Sequence, residues 1–300
     1  MNFTEALYHS SPLILDGAMG TELHKRGVSI ELPLWSARAI IENPEIIEKI
    51  HIDYLNAGAD IITTNTFRTD TRTFRKANLS ENDARSATKQ AIDIAKNAIK
   101  SSNSDKDIWI AGSMSTLEDC YHPELSPDYE IALAEHREKA SWLAESGANF
   151  ILIETMNTFN EALAAVNAAL ETGLPVIVSF ILNNECEIFN GDNLYDAYCK
   201  LQGLGIDGFS INCSHHSLIT EFLFNYTGKI DLPIVVYANA GFYTKEHSWQ
   251  DDPDFTPEFY ADKAYRWINM GAKIVGGCCG TSIDHINAIS EIINIKKGPV

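Results

Sequence analysis

The sequence predicts a TIM (β/α)8 barrel occupying residues 1–300 as one domain. Three observations carry the prediction. A short apolar run alternates with an amphipathic helical pattern eight times. The apolar runs are rich in Ile and Val and lack polar alternation, as parallel strands covered on both faces should. Four helical segments also end in small-residue junctions that lead into the next run: Ala57-Gly58-Ala59-Asp60, Ser146-Gly147-Ala148-Asn149, Leu204-Gly205-Ile206-Asp207 and Met270-Gly271-Ala272-Lys273. Glycine just past a helix end supplies a left-handed cap.

The elements follow in order. The first strand is expected at Leu13–Asp16. Asn43-Pro44 then opens a long helix, proline fitting the first turn, where its N–H has no partner to lose. The second strand is expected at Asp60–Asn65, and Ser80-Glu81-Asn82-Asp83 resembles a capping box for the helix behind it. Strands three and four fall at Ile108–Ser113 and Asn149–Glu154, and Thr158-Phe159-Asn160-Glu161 resembles a second capping box. Strands five, six and seven fall at Pro175–Ile181, Gly208–Asn212 and Ile234–Asn239. Thr256-Pro257-Glu258 opens the next helix, and the eighth strand is Lys273–Gly277. The rival architecture is a doubly wound open sheet, but no Gly-x-Gly-x-x-Gly follows the first strand.

Bulk properties narrow the function. With 300 residues, 45% of them hydrophobic, the chain buries a large core. No segment approaches the roughly 20 apolar residues of a membrane span. The N-terminus, Met1-Asn2-Phe3-Thr4-Glu5, lacks the basic and apolar regions of a secretion signal. A cytoplasmic protein with six reduced cysteines is therefore expected. The net charge of −18 argues against nucleic acid or an anionic membrane as partner and is read as serving solubility.

In a barrel of this kind the active site lies at the C-terminal ends of the strands. Those ends read Asp16-Gly17, Asn65-Thr66, Ser113, Glu154-Thr155, Asn212-Cys213, Asn239 and Cys278-Cys279. All are polar or metal-binding. Cys213 follows the sixth strand, while Cys278 and Cys279 follow the eighth within Gly276-Gly277-Cys278-Cys279-Gly280-Thr281. One strand separates them, so the three can meet. Three thiolates with one open position suggest zinc; a redox-active vicinal disulfide is the alternative. Cys120, Cys186 and Cys199 are read as small buried hydrophobes. His215 and His216 are read as solvated loop residues, and as ligands only if the site is hydrolytic. A zinc carrying three thiolates suits holding a substrate thiol in its ionised form.

The stretches Leu15-Asp16-Gly17-Ala18-Met19-Gly20-Thr21-Glu22-Leu23, Thr64-Asn65-Thr66-Phe67, Ile153-Glu154-Thr155, Ile211-Asn212-Cys213 and Gly276-Gly277-Cys278-Cys279-Gly280-Thr281 resemble the homocysteine S-methyltransferase family, in family order and over nearly the whole chain. The resemblance implies a TIM barrel that binds Zn2+ through Cys213, Cys278 and Cys279, with homocysteine sulfur as methyl acceptor. It implies that Asp16 and Glu154 bind the ammonium group of homocysteine and that the N–H groups of Gly17 and Ala18 face its carboxylate. Asn65 and Asn212 either bind substrate or satisfy loop backbone groups.

For the methyl donor, Pro33-Leu34-Trp35-Ser36-Ala37 and Glu42-Asn43-Pro44-Glu45 resemble members that use S-methylmethionine. Trp35 either faces the donor's sulfonium charge or packs in its loop. Betaine users tend to carry an aromatic residue after the glutamate, where this chain has Thr155-Met156. Asn65-Thr66-Phe67 looks more like the homocysteine module of folate-dependent methionine synthases, which leaves a partner-delivered methyl group as an alternative. The competing classes are a zinc hydrolase using His215 or His216, and a non-catalytic thiol-binding regulator.

Overall fold

Eight parallel strands form the centre of the computed structural model, which describes residues 1–9, 12–102, 104–184, 186–243, 249–252 and 254–297. They are β1 (Leu13–Ile14), β2 (Ile61–Thr63), β3 (Trp109–Met114), β4 (Phe150–Met156), β5 (Val176–Phe180), β6 (Gly208–Asn212), β7 (Ile234–Ala238) and β8 (Ala272–Gly277). The hydrogen-bonded order is β1-β8-β7-β6-β5-β4-β3-β2. A parallel bridge between Leu15 and Ile61 joins the two ends. The Asp16 N–H on the Ile61 carbonyl (3.0 Å) and the Asp60 N–H on the Ile14 carbonyl (2.8 Å) reinforce it.

One long helix follows each strand: α1 (Pro44–Asn56), α2 (Glu81–Ser101), α3 (Tyr129–Ser146), α4 (Phe159–Leu170), α5 (Leu194–Gln202), α6 (His216–Tyr226), α7 (Pro257–Asn269) and α8 (Ile283–Lys297). The architecture is the predicted TIM barrel.

The strands read as apolar throughout because both faces are covered. Alternate residues Leu13 and Leu15, Trp109 and Ala111, Phe150 and Leu152, and Val235 and Tyr237 join one buried cluster inside the barrel. Their neighbours Ile14, Ile151, Ile153 and Val236 pack outward with helix residues such as Ile47, Leu143 and Trp267. A helix absent from the sequence reading, Phe3–His9, closes the end where the strands begin. Its Phe3 ring stacks on Phe150 at 3.9 Å. The opposite end, where the strands finish, is left for chemistry.

The departures from expectation are local. Strand β2 stops at Thr63 because the chain turns there, with the Thr66 N–H on the Thr64 carbonyl at 2.7 Å. Strand β4 continues past Glu154 to Met156, with a register slip against β5. Two hairpins, Leu182–Asn184 with Glu187–Ile188 and Gly241–Tyr243 with Trp249–Asp251, were not expected. The capping box at Ser80 and Asp83 forms. The one at Thr158 forms only in part: Thr158 caps the Glu161 N–H (3.2 Å). The Glu161 carboxylate turns away to the Leu117 N–H (2.7 Å), the Ser126 hydroxyl (2.6 Å) and His136 (3.2 Å), because a carboxylate buried that deeply needs several donors. The junction glycines Gly58, Gly147, Gly205 and Gly271 all have positive φ.

Candidate active site

Cys213 leaves β6, and Cys278 and Cys279 leave β8, with β7 between them. Their sulfur atoms lie within 4.8 Å of one another. Cys213 Sγ and Cys278 Sγ are 2.7 Å apart. That is longer than the roughly 2.05 Å of a disulfide, and all three are free thiols.

Backbone contacts set these positions. Cys213 sits at φ +47°, a conformation that side-chain-bearing residues seldom adopt. The Asn239 amide holds its carbonyl at 3.0 Å. The Cys278 N–H donates to the Ala238 carbonyl (2.8 Å), and the Cys278 carbonyl accepts from the Thr281 hydroxyl (2.7 Å). Gly276 lets β8 approach β1, since a Cβ there would stand 2.6 Å from Leu15 Cβ and 2.9 Å from its carbonyl oxygen.

The electrostatics of the cluster fit a cation. Hydrogen bonds from Cys213 and then Cys278 hold the Cys279 thiol well below its ordinary range, despite burial. Contact with Cys278, then Cys279, pushes Cys213 well above it. Sulfurs this crowded oppose the ionisation of all three at once. A soft divalent ion makes all three thiolates at once, and a three-sulfur set with one open position suits zinc.

His215 and His216 are not part of the cluster. His215 Nδ1 lies 2.8 Å from the Ser217 hydroxyl at the start of α6. His216 stacks on Phe255 at 4.8 Å. Both are half-buried by these contacts rather than solvated. Among the described residues the metal-holding group is the three cysteines alone. A hydrolase would lack its nitrogen ligands.

Two buried carboxylates lie just past β1 and near the finishing end of β4. Asp16 accepts from the Thr63 N–H and the Thr63 hydroxyl, each at 2.8 Å. Burial dominates these bonds and pushes its carboxyl up to about 8. Glu154 accepts from the hydroxyls of Ser113 and Tyr237. Burial lifts it to about 7, with the nearby Cys278 adding to the rise. Neither carboxylate has a cationic partner among the salt bridges of the described residues. Such a pair is poised for a bound cation.

The remaining predicted residues take several parts. Gly17 packs against the Tyr54 ring, where a Cβ would be 2.8 Å from its hydroxyl oxygen. The Ala18 N–H donates to the Thr281 hydroxyl at 3.2 Å. The Asn65 amide donates to the Ser36 carbonyl at 2.8 Å and so ties the second loop to the first. Beside that contact, Trp35 stands at φ +48° with its ring edge-to-face on Phe67 at 5.6 Å.

The sequence reading missed Thr63 and Tyr237, the partners of the two carboxylates. Tyr237 carried a signal: it alternates with Val235 on the inward face of its strand. Cys120 is buried as expected. The other two corrections concern Cys186, which is half-buried, and Cys199, which is exposed. Cys199 faces out because Leu194, Ala197, Tyr198 and Leu201 form the buried side of α5.

A parallel barrel with three thiols that could hold a metal ion, and two buried carboxylates, at the finishing ends of its strands has the arrangement of an enzyme active site. The homocysteine S-methyltransferase family model matches residues 13–293, and the chain belongs to that family. Homocysteine S-methyltransferase of Escherichia coli (strain K12) is 30% identical, covering 92% of this chain and 94% of its own length. A selenocysteine methyltransferase of Astragalus bisulcatus is 27% identical over 97% of this chain and 98% of its own. The crystal structure of the homocysteine methyltransferase MmuM from Escherichia coli, in its metallated form, superposes with a TM-score of 0.84 at 28% identity. It covers 95% of this chain and 98% of that one.

Proposed function

We propose that this chain transfers a methyl group from S-methylmethionine to homocysteine, giving methionine, with zinc held by Cys213, Cys278 and Cys279. The observation that carries the reading is the gathering of three sulfurs within 4.8 Å at the mouth of the barrel, near two buried carboxylates. Zinc held there supplies an ionised acceptor thiol at neutral pH, where a free thiol of pKa about 8.5 is only a few per cent thiolate.

The protein's own residues supply position. Asp16 and Glu154 take the substrate ammonium group through charge-assisted hydrogen bonds. The ammonium group offsets the cost of ionising both buried carboxyls. The Gly17 N–H faces the substrate carboxylate, whereas the Ala18 N–H is taken by the Thr281 hydroxyl. Trp35 offers an aromatic face to the donor cation. The acceptor sulfur forms a bond to the methyl carbon as the donor's sulfur–carbon bond breaks. The bonding pair stays on the donor sulfur, whose positive charge is discharged. No general base is needed at that step, and the rate gain comes from holding both sulfurs in line. Three reduced thiols favour a cytoplasmic setting. Among the described residues no helix is long and apolar enough to cross a membrane.

The test is methionine formation from homocysteine and S-methylmethionine by reduced, zinc-loaded protein. Turnover that a chelator abolishes and zinc restores is expected. Homocysteine binding without turnover of S-methylmethionine would defeat this donor and favour betaine or a partner-delivered methyl group.

A further inference from the structure

Asn212 is the last residue of β6, directly before Cys213, and it is fully buried. Its amide spends all of its hydrogen-bonding capacity inside the protein. Oδ1 accepts from the Thr155 N–H in β4 and from the Ser179 hydroxyl in β5. Nδ2 donates one hydrogen to the Thr155 hydroxyl. Its other hydrogen is available to Cys278 Sγ, 4.0 Å away, just past β8. One side chain thus joins four strands at the mouth of the barrel.

The orientation of the amide is fixed by its partners. A backbone N–H can only donate, so the Thr155 N–H requires the amide oxygen on its side. Turning the amide over would set that N–H against an N–H2 group. The nitrogen therefore faces Cys278. A contact of 4.0 Å is worth little to a thiol, which is a weak acceptor. It is worth more to a thiolate, because hydrogen bonds to ionised acceptors are shorter and stronger.

The simplest role for Asn212 is to satisfy the backbone of Thr155, for which any acceptor would serve. The second hydrogen of the amide has no task in that role, yet it is the one that meets a sulfur of the cluster. The same amide therefore touches the residue that follows Glu154 and one of the three sulfurs that can hold a metal ion.

We infer that Asn212 is a positioning residue for the metal centre: its N–H supports Cys278 as a thiolate ligand, while the other end of the same amide fixes the strand end that carries Glu154. The inference rests on the reading of the three cysteines as zinc ligands. It assigns Asn212 no bond to zinc and none to substrate. Partners placed one step behind the ligands orient them and tune the affinity for the metal.

Zinc affinity of the reduced chain, measured by competition with a chromogenic chelator, tests it. Asn212→Ala and Asn212→Ser both remove the amide, and the serine hydroxyl is too short to reach Cys278. Both variants are expected to bind zinc about tenfold more weakly than wild type. Thr155→Val removes a different partner of the amide and leaves Cys278 its donor, so it should keep the wild-type zinc affinity. Cobalt(II) in the same site reads the sulfur itself. Loss of an N–H donor to a thiolate should move the sulfur-to-metal charge-transfer band to longer wavelength in the Asn212 variants and leave it in place in Thr155→Val. Wild-type zinc affinity or an unmoved band in a folded Asn212 variant overturns the inference. An equal loss of affinity in Thr155→Val also overturns it, since that would mean a general loosening of the rim. If Asn212→Ala does not fold, Asn212→Ser decides. A wild-type chain that binds neither metal sinks the zinc reading and this inference together, whereas the other results sink the inference alone.

Discussion

Asn212 grips Thr155 by both ends of its amide: Oδ1 accepts from the Thr155 N–H at 3.0 Å, and Nδ2 donates to the Thr155 hydroxyl at 2.8 Å. The Ser179 hydroxyl adds a third bond, to Oδ1, at 2.7 Å. The grip explains how Thr155 holds φ +60° immediately after Glu154. A β-branched residue in that region costs on the order of 1–3 kcal/mol and needs surrounding structure to impose it. Asn212→Ala should therefore destabilise the fold by about 2–3 kcal/mol and weaken homocysteine binding through Glu154. Denaturant unfolding checks the first effect and calorimetry the second. A change below about 0.5 kcal/mol would show that the strand end keeps its shape without the amide.

Cys278→Ser replaces a soft ligand with a weak one in the sulfur cluster. Zinc content should fall well below one ion per chain and methyl transfer should be lost, while the circular dichroism spectrum stays unchanged. Full zinc with full activity would remove Cys278 from the ligand set.

The two carboxyls make ligand affinity depend on pH. Asp16 is lifted to about 8 and Glu154 to about 7, chiefly by burial, so much of the pair is protonated at neutral pH. Binding an ammonium group requires the ionised forms, so protons leave on binding. Affinity for methionine, which carries no thiol to confuse the titration, should rise from pH 6 to about pH 8 and then level. Asp16→Asn should flatten the upper part of that rise and weaken binding by about ten- to a hundredfold. A pH-independent affinity in wild type would argue that neither carboxyl touches the ammonium group.

Gly20 lies under the Trp35 ring, where a Cβ would stand 2.6 Å from Trp35 Cζ2. Gly20→Ala must move the indole. The expected result is a raised donor KM with unchanged zinc content and homocysteine binding. A fall in all three would indicate that Trp35 supports the fold of the loop instead.

His51 lies on α1, fully buried, with neither ring nitrogen hydrogen-bonded. Burial lowers it from 6.5 to about 4. For a base depressed in the folded state, the stabilisation is complete above pH 6.5 and is lost as pH falls towards 4. That shift corresponds to about 3 kcal/mol. His51→Leu should abolish this part of the acid sensitivity in urea unfolding across that range. Parallel curves for variant and wild type would mean that His51 takes up its proton in the folded state at the same pH as in the unfolded chain.

Much of this molecule was legible in its sequence. Eight Ile- and Val-rich runs dictate strands covered on both faces, and glycine at the helix ends allows the left-handed turn that returns the chain to the sheet. Because a barrel brings all strand ends to one rim, the same reading put Cys213, Cys278, Cys279, Asp16 and Glu154 at one place. What it left undecided depends on groups far apart in the chain. Thr63 clasps Asp16, Tyr237 reaches Glu154, and Asn157 joins the segments bearing Tyr121 and Phe189. Side-chain hydrogen bonds have no periodicity and leave no trace in local composition. Asn65 illustrates the limit: its position at a strand end is fixed by local pattern, but its bond to the Ser36 carbonyl exists only because β1 and β2 close the barrel side by side. Short-range pattern determines which residues reach the rim, and only the closed tertiary structure decides which of them face a ligand and which hold one another, because burial and hydrogen-bond partners are settled by packing.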